Sequence, residues 1–172
     1  MAILGYVLPP VLVILFFTIT YFVAEAKKNY GYIDIVWGAS FVISAWSALV
    51  ITSLVNMAWP SIPAIVVAVA VTIWGLRLST YLFKRNWNKP EDYRYVTMRN
   101  NLAGKKHPKL LAFIKIFMSQ AGLSILISTV ILVTLNGVVL ANDWLVYIFV
   151  IAGVLLWLLG FFFESVGDAQ LR

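Results

Sequence analysis

Three short clusters place nine of this chain's twenty charged residues at the ends of very apolar segments. They are WGLRLSTYLFKR (74–85), EDYRY (91–95) and FESVGDAQLR (163–172). A charge at membrane depth is costly unless it is paired or faces water or a polar ligand. Arginine binds phosphate through paired hydrogen bonds, while carboxylates and glutamine bond to hydroxyl or amide groups. The clusters therefore indicate a site for a polar or phosphorylated ligand in an otherwise apolar protein.

Helical spacing places residues of the first and third clusters on common faces. In the first cluster, intervals of three, four and four connect Trp74, Arg77, Tyr81 and Arg85. In the third cluster, intervals of four connect Glu164, Asp168 and Arg172. Two carboxylates one helical turn apart repel each other unless a cation, a hydroxyl or a shared proton lies between them. We expect the guanidinium of Arg77 to line a polar cavity; snorkelling towards the interface is the alternative.

The segment 84–109 is strongly basic. It carries eight Lys or Arg residues against two acids, and its net charge of +6 equals that of the whole chain. Around the second cluster, charges alternate with Trp87, Tyr93 and Tyr95, a mixture suited to phosphates and planar rings. A loop that contacts anionic lipid is the alternative explanation. Nucleic acid is not expected as a partner, because the patch is short and tied to the bilayer.

Composition defines the class of protein. Hydrophobic residues make up 62% of the chain, charged residues 12%, and the mean hydropathy is +0.92. These values exclude an ordinary soluble domain and indicate an integral membrane protein. The chain has no Cys and a single His, His107, so neither a disulfide framework nor a histidine-cluster metal site is expected. The absence of glycine-rich phosphate loops means that side chains must hold any nucleotide.

The apolar runs predict an all-α, polytopic membrane protein with about five transmembrane helices in a single domain. About 20 residues are needed to cross the hydrocarbon core, and the runs are 4–24, 36–57, 62–83, 110–135 and 144–166, with a basic loop at 84–109. All thirteen basic residues fall on one side of this arrangement, and Asp143 is the only acid on the other. The positive-inside rule then predicts an outside N-terminus and a cytoplasmic C-terminus.

Motif order carries a resemblance to a known family. IDIVWG, WGLRLSTYLFKR, EDYRY with Arg99 shortly after, and GFFFESVGDAQLR follow one another from about Tyr30 to Arg172. This order resembles the DUF1295 family of membrane proteins related to steroid 5α-reductase. The resemblance implies a helical fold that binds NADPH or NADH from the cytoplasmic side and reduces the carbon–carbon double bond of a lipid-like enone. We expect a multi-pass protein of the bacterial inner membrane, with oligomerisation left open.

The resemblance also implies roles for matched residues. Arginines would hold phosphates, whereas carboxylates and Gln170 would bind ribose hydroxyls or the nicotinamide amide. The expected cofactor-binding residues are Arg77, Arg85, Glu91, Asp92, Tyr93, Arg94, Arg99, Glu164, Asp168, Gln170 and Arg172. The steroid-reducing relatives polarise the carbonyl with a Glu and a Tyr. Trp74 falls where that Tyr would be, and Asp34 is the nearest candidate for the Glu, so both are the expected catalytic residues; Asp34 could instead complement the dipole of its helix.

Two alternatives remain open at this point. The wider superfamily also resembles isoprenylcysteine carboxyl methyltransferase, which makes S-adenosylmethionine the alternative cofactor. A non-enzymatic membrane scaffold, or an inactive truncated member, would explain the basic loop with fewer assumptions. Family members continue beyond the position of Arg172 into a section with an Arg-His-Pro-Asn-Tyr type signature and more helices, so we expect the chain to be incomplete at its C-terminus.

Overall fold

The computed structural model describes residues 3–137 and 144–170, and these residues fold into helices. The elements are α1 (Leu4–Lys27), α2 (Tyr32–Asn56), α3 (Ile62–Asn86), α4 (Tyr93–Ala103), α5 (Pro108–Ala112), a π-helical segment (Phe113–Met118), α6 (Ser119–Asn136) and α7 (Trp144–Gln170). The elements α5 and α6 join through the π-helical segment into one helix, Pro108–Asn136. Within the described ranges, five helices are long and apolar enough to cross a membrane, which confirms the predicted helical membrane fold.

The helix bounds differ from the sequence prediction mainly at the charged end. Helix α2 begins at Tyr32, four residues earlier than predicted, while α3 continues to Asn86 and α7 to Gln170. The segment predicted as a basic loop contains α4, whose side chains Tyr95 and Leu102 are buried. Charged and aromatic residues extend a helix into the interface without adding apolar length. Helix lengths taken from the apolar runs are therefore too short. The predicted orientation of the termini stays a prediction.

Helix α2 packs against α1, α3 and α6 and so lies at the centre of the bundle. It meets α3 at Gly38 and Gly75, where a methyl group added to either glycine would collide with the other's carbonyl oxygen. Small residues at such a crossing allow two backbones to approach closely, as is common in membrane helix pairs. The close crossing fixes α3, and with it Arg77, relative to the rest of the bundle.

Polar groups join three helices at the end of the bundle opposite the charged clusters, where α1 begins and α2 and α6 end. Asn136 of α6 donates through Nδ2 to the carbonyl oxygens of Gly5 at 3.1 Å and Leu132 at 2.8 Å. Its Oδ1 accepts a hydrogen bond from the hydroxyl of Thr52 on α2. In the middle of the bundle, the buried hydroxyls of Ser40 and Ser124 bond to each other at 2.7 Å, as expected for serines that pack helices together.

Helix α7 lies at the edge of the bundle and packs against α3. None of its described residues is buried, and large apolar side chains such as Phe149 and Leu156 are more than two-thirds exposed. An apolar surface of this kind is suited to lipid. The polar contacts of α7 are therefore concentrated at its charged end, where it meets α3.

Candidate functional site

The charged ends of α3 and α7 meet in a network that we call the α3–α7 cluster: Trp74, Arg77, Glu164 and Asp168. Arg77 donates to Glu164 Oε1 from Nη1 at 2.8 Å and to Asp168 Oδ2 from Nη2 at 2.5 Å. The indole Nε1 of Trp74 donates to the second Glu164 oxygen at 2.9 Å. Arg77 thus supplies the cation that two carboxylates one turn apart require.

The environment of the cluster is half-buried and partly aromatic. The side chains of Arg77, Glu164 and Asp168 are 20%, 36% and 23% exposed, respectively. The guanidinium carbon of Arg77 also lies 5.4 Å from the centre of the Phe161 ring, within the range of a cation–π contact. Reduced contact with water strengthens the electrostatic interactions of these groups, both with one another and with any ligand.

A cavity of about 380 Å³ opens beside the cluster between α3 and α7. Its lining combines donors and an acceptor, namely Arg77, Lys84, Thr80, Ser165 and Asp168, with the aromatic ring of Tyr81. Lys84 forms no ion pair within the described residues. The cavity can therefore accept a ligand that carries both anionic groups and hydroxyls.

The EDYRY residues form a separate network at the start of α2. Tyr95 donates from its hydroxyl to Asp34 Oδ1 at 2.6 Å, and Arg94 bridges Asp34 at 3.3 Å and Asp92 at 2.9 Å. Asp92 also caps α4 by accepting from the Arg94 backbone. Burial, followed by the bond to Asp34, raises the pKa of Tyr95, while the hydrogen bonds from Arg94 lower the pKa of Asp92.

Arg99 and Glu91 complete the attachment of α4. Glu91 accepts from the Tyr30 backbone N–H and from Arg99 Nη2, both at 2.7 Å. The guanidinium of Arg99 lies over the Tyr30 ring, 4.4 Å from its centre. The hydroxyl of Tyr30 donates to Glu25, which also pairs with Lys109 at 3.2 Å. Burial and the bond to Glu25 raise the pKa of Tyr30.

The structure divides the predicted site residues between these networks. Trp74, Arg77, Glu164 and Asp168 share the α3–α7 cluster, whereas Asp34, Glu91, Asp92, Arg94 and Arg99 fasten α4 to the bundle. The two predicted catalytic residues, Asp34 and Trp74, therefore bond to different networks.

The remaining predicted residues have other surroundings. Arg85 contacts the Tyr81 ring and Asn86, whereas Tyr93 is 78% exposed and Gln170 is also exposed. Arg172 lies outside the described residues, as does Asp143. No group of His, Asp and Glu side chains that could hold a metal ion occurs among residues 3–137 and 144–170.

Sequence reasoning did not predict that two tyrosines would join the elements of the EDYRY network. Tyr30 and Tyr95 are 3% and 5% exposed and donate hydrogen bonds to carboxylates of other elements. Trp87, which we expected to stack on a planar ligand, stacks instead on Phe83 with ring centres 4.6 Å apart. The signal available for Tyr95 was its position seven residues before Leu102, which places both on one helical face.

A comparison with protein families finds a match over residues 20–172 to the family described as "Protein of unknown function (DUF1295)". Searches of curated proteins and of solved structures found no match.

Proposed function

The chain belongs to the DUF1295 family, and from this premise we propose that it is a membrane-embedded, NAD(P)H-dependent reductase of a lipid-like enone. The observation that carries the proposal is Arg77, a guanidinium only 20% exposed within a spanning helix, beside a cavity that also contains Lys84 and Asp168. Charged side chains at membrane depth that line a cavity are typical of ligand sites. We also propose that the family is related to steroid 5α-reductase, and the choice of reaction rests on that relationship.

The chemistry of the side chains divides the work of binding. Arg77, Arg85 and Lys84 would hold the cofactor phosphates through charge-assisted hydrogen bonds. Asp168, Glu164 and Gln170 would accept from ribose hydroxyls or bind the nicotinamide amide. A nicotinamide cofactor held by these residues would supply the hydride for the β-carbon of the enone and be oxidised, and a proton from solvent would be added at the α-carbon.

Ligand binding requires the α3–α7 cluster to exchange partners. Arg77 is bonded to both carboxylates, so a phosphate would compete with Asp168 or Glu164 for its N–H groups. Trp74 can polarise a substrate carbonyl once its Nε1 leaves Glu164. Asp34 accepts from Tyr95 in the other network, which favours a role in positioning α4 over contact with the carbonyl.

One observation favours a scaffold as the second candidate function. The same ion pairs that suggest a ligand site also connect α7 to α3, and a bundle without any ligand would use them in the same way. A scaffold predicts that these charges matter only for packing. A reductase predicts that they matter for ligand affinity as well.

Calorimetric titration of the detergent-purified chain with NADPH tests the proposal, with S-adenosylmethionine as the parallel ligand. NADPH binding that Lys84→Gln weakens by about tenfold or more, the loss of a hydrogen bond to a charged group, supports the reductase, because Lys84 lines the cavity and forms no ion pair among the described residues. Arg94→Ala tests whether the α4 network also contacts the cofactor. Lys106→Gln, a charge change in the exposed part of the basic segment, is the control and should bind as wild type.

The other outcomes separate the alternatives. Binding of S-adenosylmethionine alone would assign the chain to methyl transfer. Binding of neither ligand by a folded sample would contradict the reductase and favour the scaffold.

A further inference from the structure

A second cavity lies on the other side of the bundle, between the end of α1, the end of α4 and the start of α5. Its volume is 410 Å³. Three cations line it, Lys28, Arg99 and Lys109, together with the single acid Glu25. The cavity and the α3–α7 cavity have different lining residues and are formed by different helices.

The acid in this cavity is already engaged. Glu25 accepts from the Tyr30 hydroxyl and pairs with Lys109 at 3.2 Å. Lys28 forms no ion pair among the described residues, and 79% of the Lys109 side chain remains exposed. The cavity therefore has a local excess of positive charge.

Arg99 adds a donor without an acceptor. Its Nη2 bonds to Glu91 at 2.7 Å, and its guanidinium lies over Tyr30. Its Nε, however, is buried and has no hydrogen-bond partner within the part of the chain that the structure describes. A buried donor left unpaired is unfavourable, so a small shift of the Arg99 side chain that brings this donor to an acceptor in the cavity would be favourable.

We propose that this cavity binds a phosphate group, that of an anionic membrane lipid, between Lys28, Lys109 and Arg99. A phosphate oxygen would accept from the guanidinium of Arg99, whose side chain is 36% exposed, and the lysines would neutralise the remaining charge. Besides Tyr30, the other lining residues, Leu102, Ala103, Pro108 and Ala112, are apolar and suit the glycerol and upper acyl carbons. The cavity also lies at the charged ends of the spanning helices, where lipid headgroups are found.

Native mass spectrometry of the detergent-purified chain tests this site with short-chain phosphatidylglycerol, short-chain phosphatidylcholine and inorganic phosphate as probes. The test variant is Lys28→Asn with Lys109→Gln; asparagine tolerates the left-handed backbone at position 28, where φ is 53°. The matched control is Lys105→Asn with Lys106→Gln, which removes the same charge outside the cavity. Arg99 is kept because it also holds α4.

The wild type should bind phosphatidylglycerol more tightly than phosphatidylcholine, and the test variant should lose about tenfold in affinity for phosphatidylglycerol while the control keeps it. Competition by inorganic phosphate at millimolar concentration would assign the site to free phosphate, overturning the lipid as its source. Equal losses in the test variant and the control would reduce the effect to surface charge and overturn the site. Circular dichroism and thermal unfolding of both variants establish that they remain folded.

Discussion

Arg77→Leu is the change that the structure makes most informative. In the wild type, Arg77 bonds to Glu164 and Asp168, which lie one turn apart on α7. Leucine removes the cation and leaves both carboxylates half-buried, facing each other at the edge of the membrane. We expect the charged end of α7 to separate from α3 while the rest of the bundle stays folded.

The magnitude follows from burial. Breaking a fully buried ion pair costs about 3–5 kcal/mol, whereas an exposed pair contributes about 0–1 kcal/mol. The three side chains are 20–36% exposed, so we expect a cost of about 2 kcal/mol, or about thirtyfold in the local opening equilibrium. Replacing Glu164 and Asp168 by Leu as well should recover most of that cost, because apolar groups can substitute for a complete ion-pair network.

Hydrogen–deuterium exchange measured by mass spectrometry is the assay, with peptides of α1 as the internal reference. Arg77→Leu should accelerate exchange at the end of α7, and the triple leucine variant should reverse the effect. Arg85→Leu is the matched control, because Arg85 contacts Tyr81 and Asn86 on its own helix. Unchanged exchange of α7 in Arg77→Leu would refute the view that the ion pairs hold this helix in place.

Three further perturbations test other parts of the fold. Gly75→Ala should lower stability by about 1–3 kcal/mol in thermal unfolding through overpacking against Gly38, whereas Gly153→Ala, whose added methyl meets no atom within 4 Å, should not. Asn136→Leu should cost about 1–3 kcal/mol in the same assay, because it leaves Gly5 and Thr52 without their partner; an unchanged midpoint would contradict this. Tyr95→Phe should cost about 1 kcal/mol at neutral pH. Because the pKa of Tyr95 is raised in the folded state, its contribution is complete below the ordinary value of about 10 and is lost progressively as the pH rises from there towards the raised value. The unfolding midpoints of variant and wild type should therefore approach each other as the pH rises above about 10.

Local sequence features were sufficient to predict the spanning helices. Apolar length and one-sided charge do not depend on which helix packs against which, so the runs located all the membrane-length helices that the described residues form. The spacing of Glu164 and Asp168 also required a cation, a hydroxyl or a shared proton nearby, and the structure supplies the cation Arg77. That requirement could be read from one helix alone.

The contacts between residues of different helices could not be predicted from local sequence. Arg77 meets Asp168 across 91 residues of sequence, and Tyr95 meets Asp34 across 61. Such contacts depend on how helices pack, and one sequence contains no direct signal for them. For the same reason EDYRY and the α7 motif were both assigned to one ligand site, and the attachment of α4 to α2 through EDYRY was not predicted.

Helix α4 was not predicted because most of its residues are charged or polar. Its buried residues, Tyr95 and Leu102, are only two positions in an otherwise polar helix, so the segment reads as a loop by hydropathy. The side chains that attach it are charged or aromatic, and their effect depends on partners in α2 and in the segment after α1. Asp34 of α2 and Tyr30 of the segment after α1 are two of those partners.

NADPH affinity of the triple variant Arg77→Leu, Glu164→Leu, Asp168→Leu tests the central claim most directly, once hydrogen exchange has shown that α7 remains packed. If the α3–α7 cluster is a ligand site, calorimetry will show binding to the wild type and none to this variant. Equal NADPH binding by both proteins would contradict the claim, and so would a folded wild type that binds no NADPH.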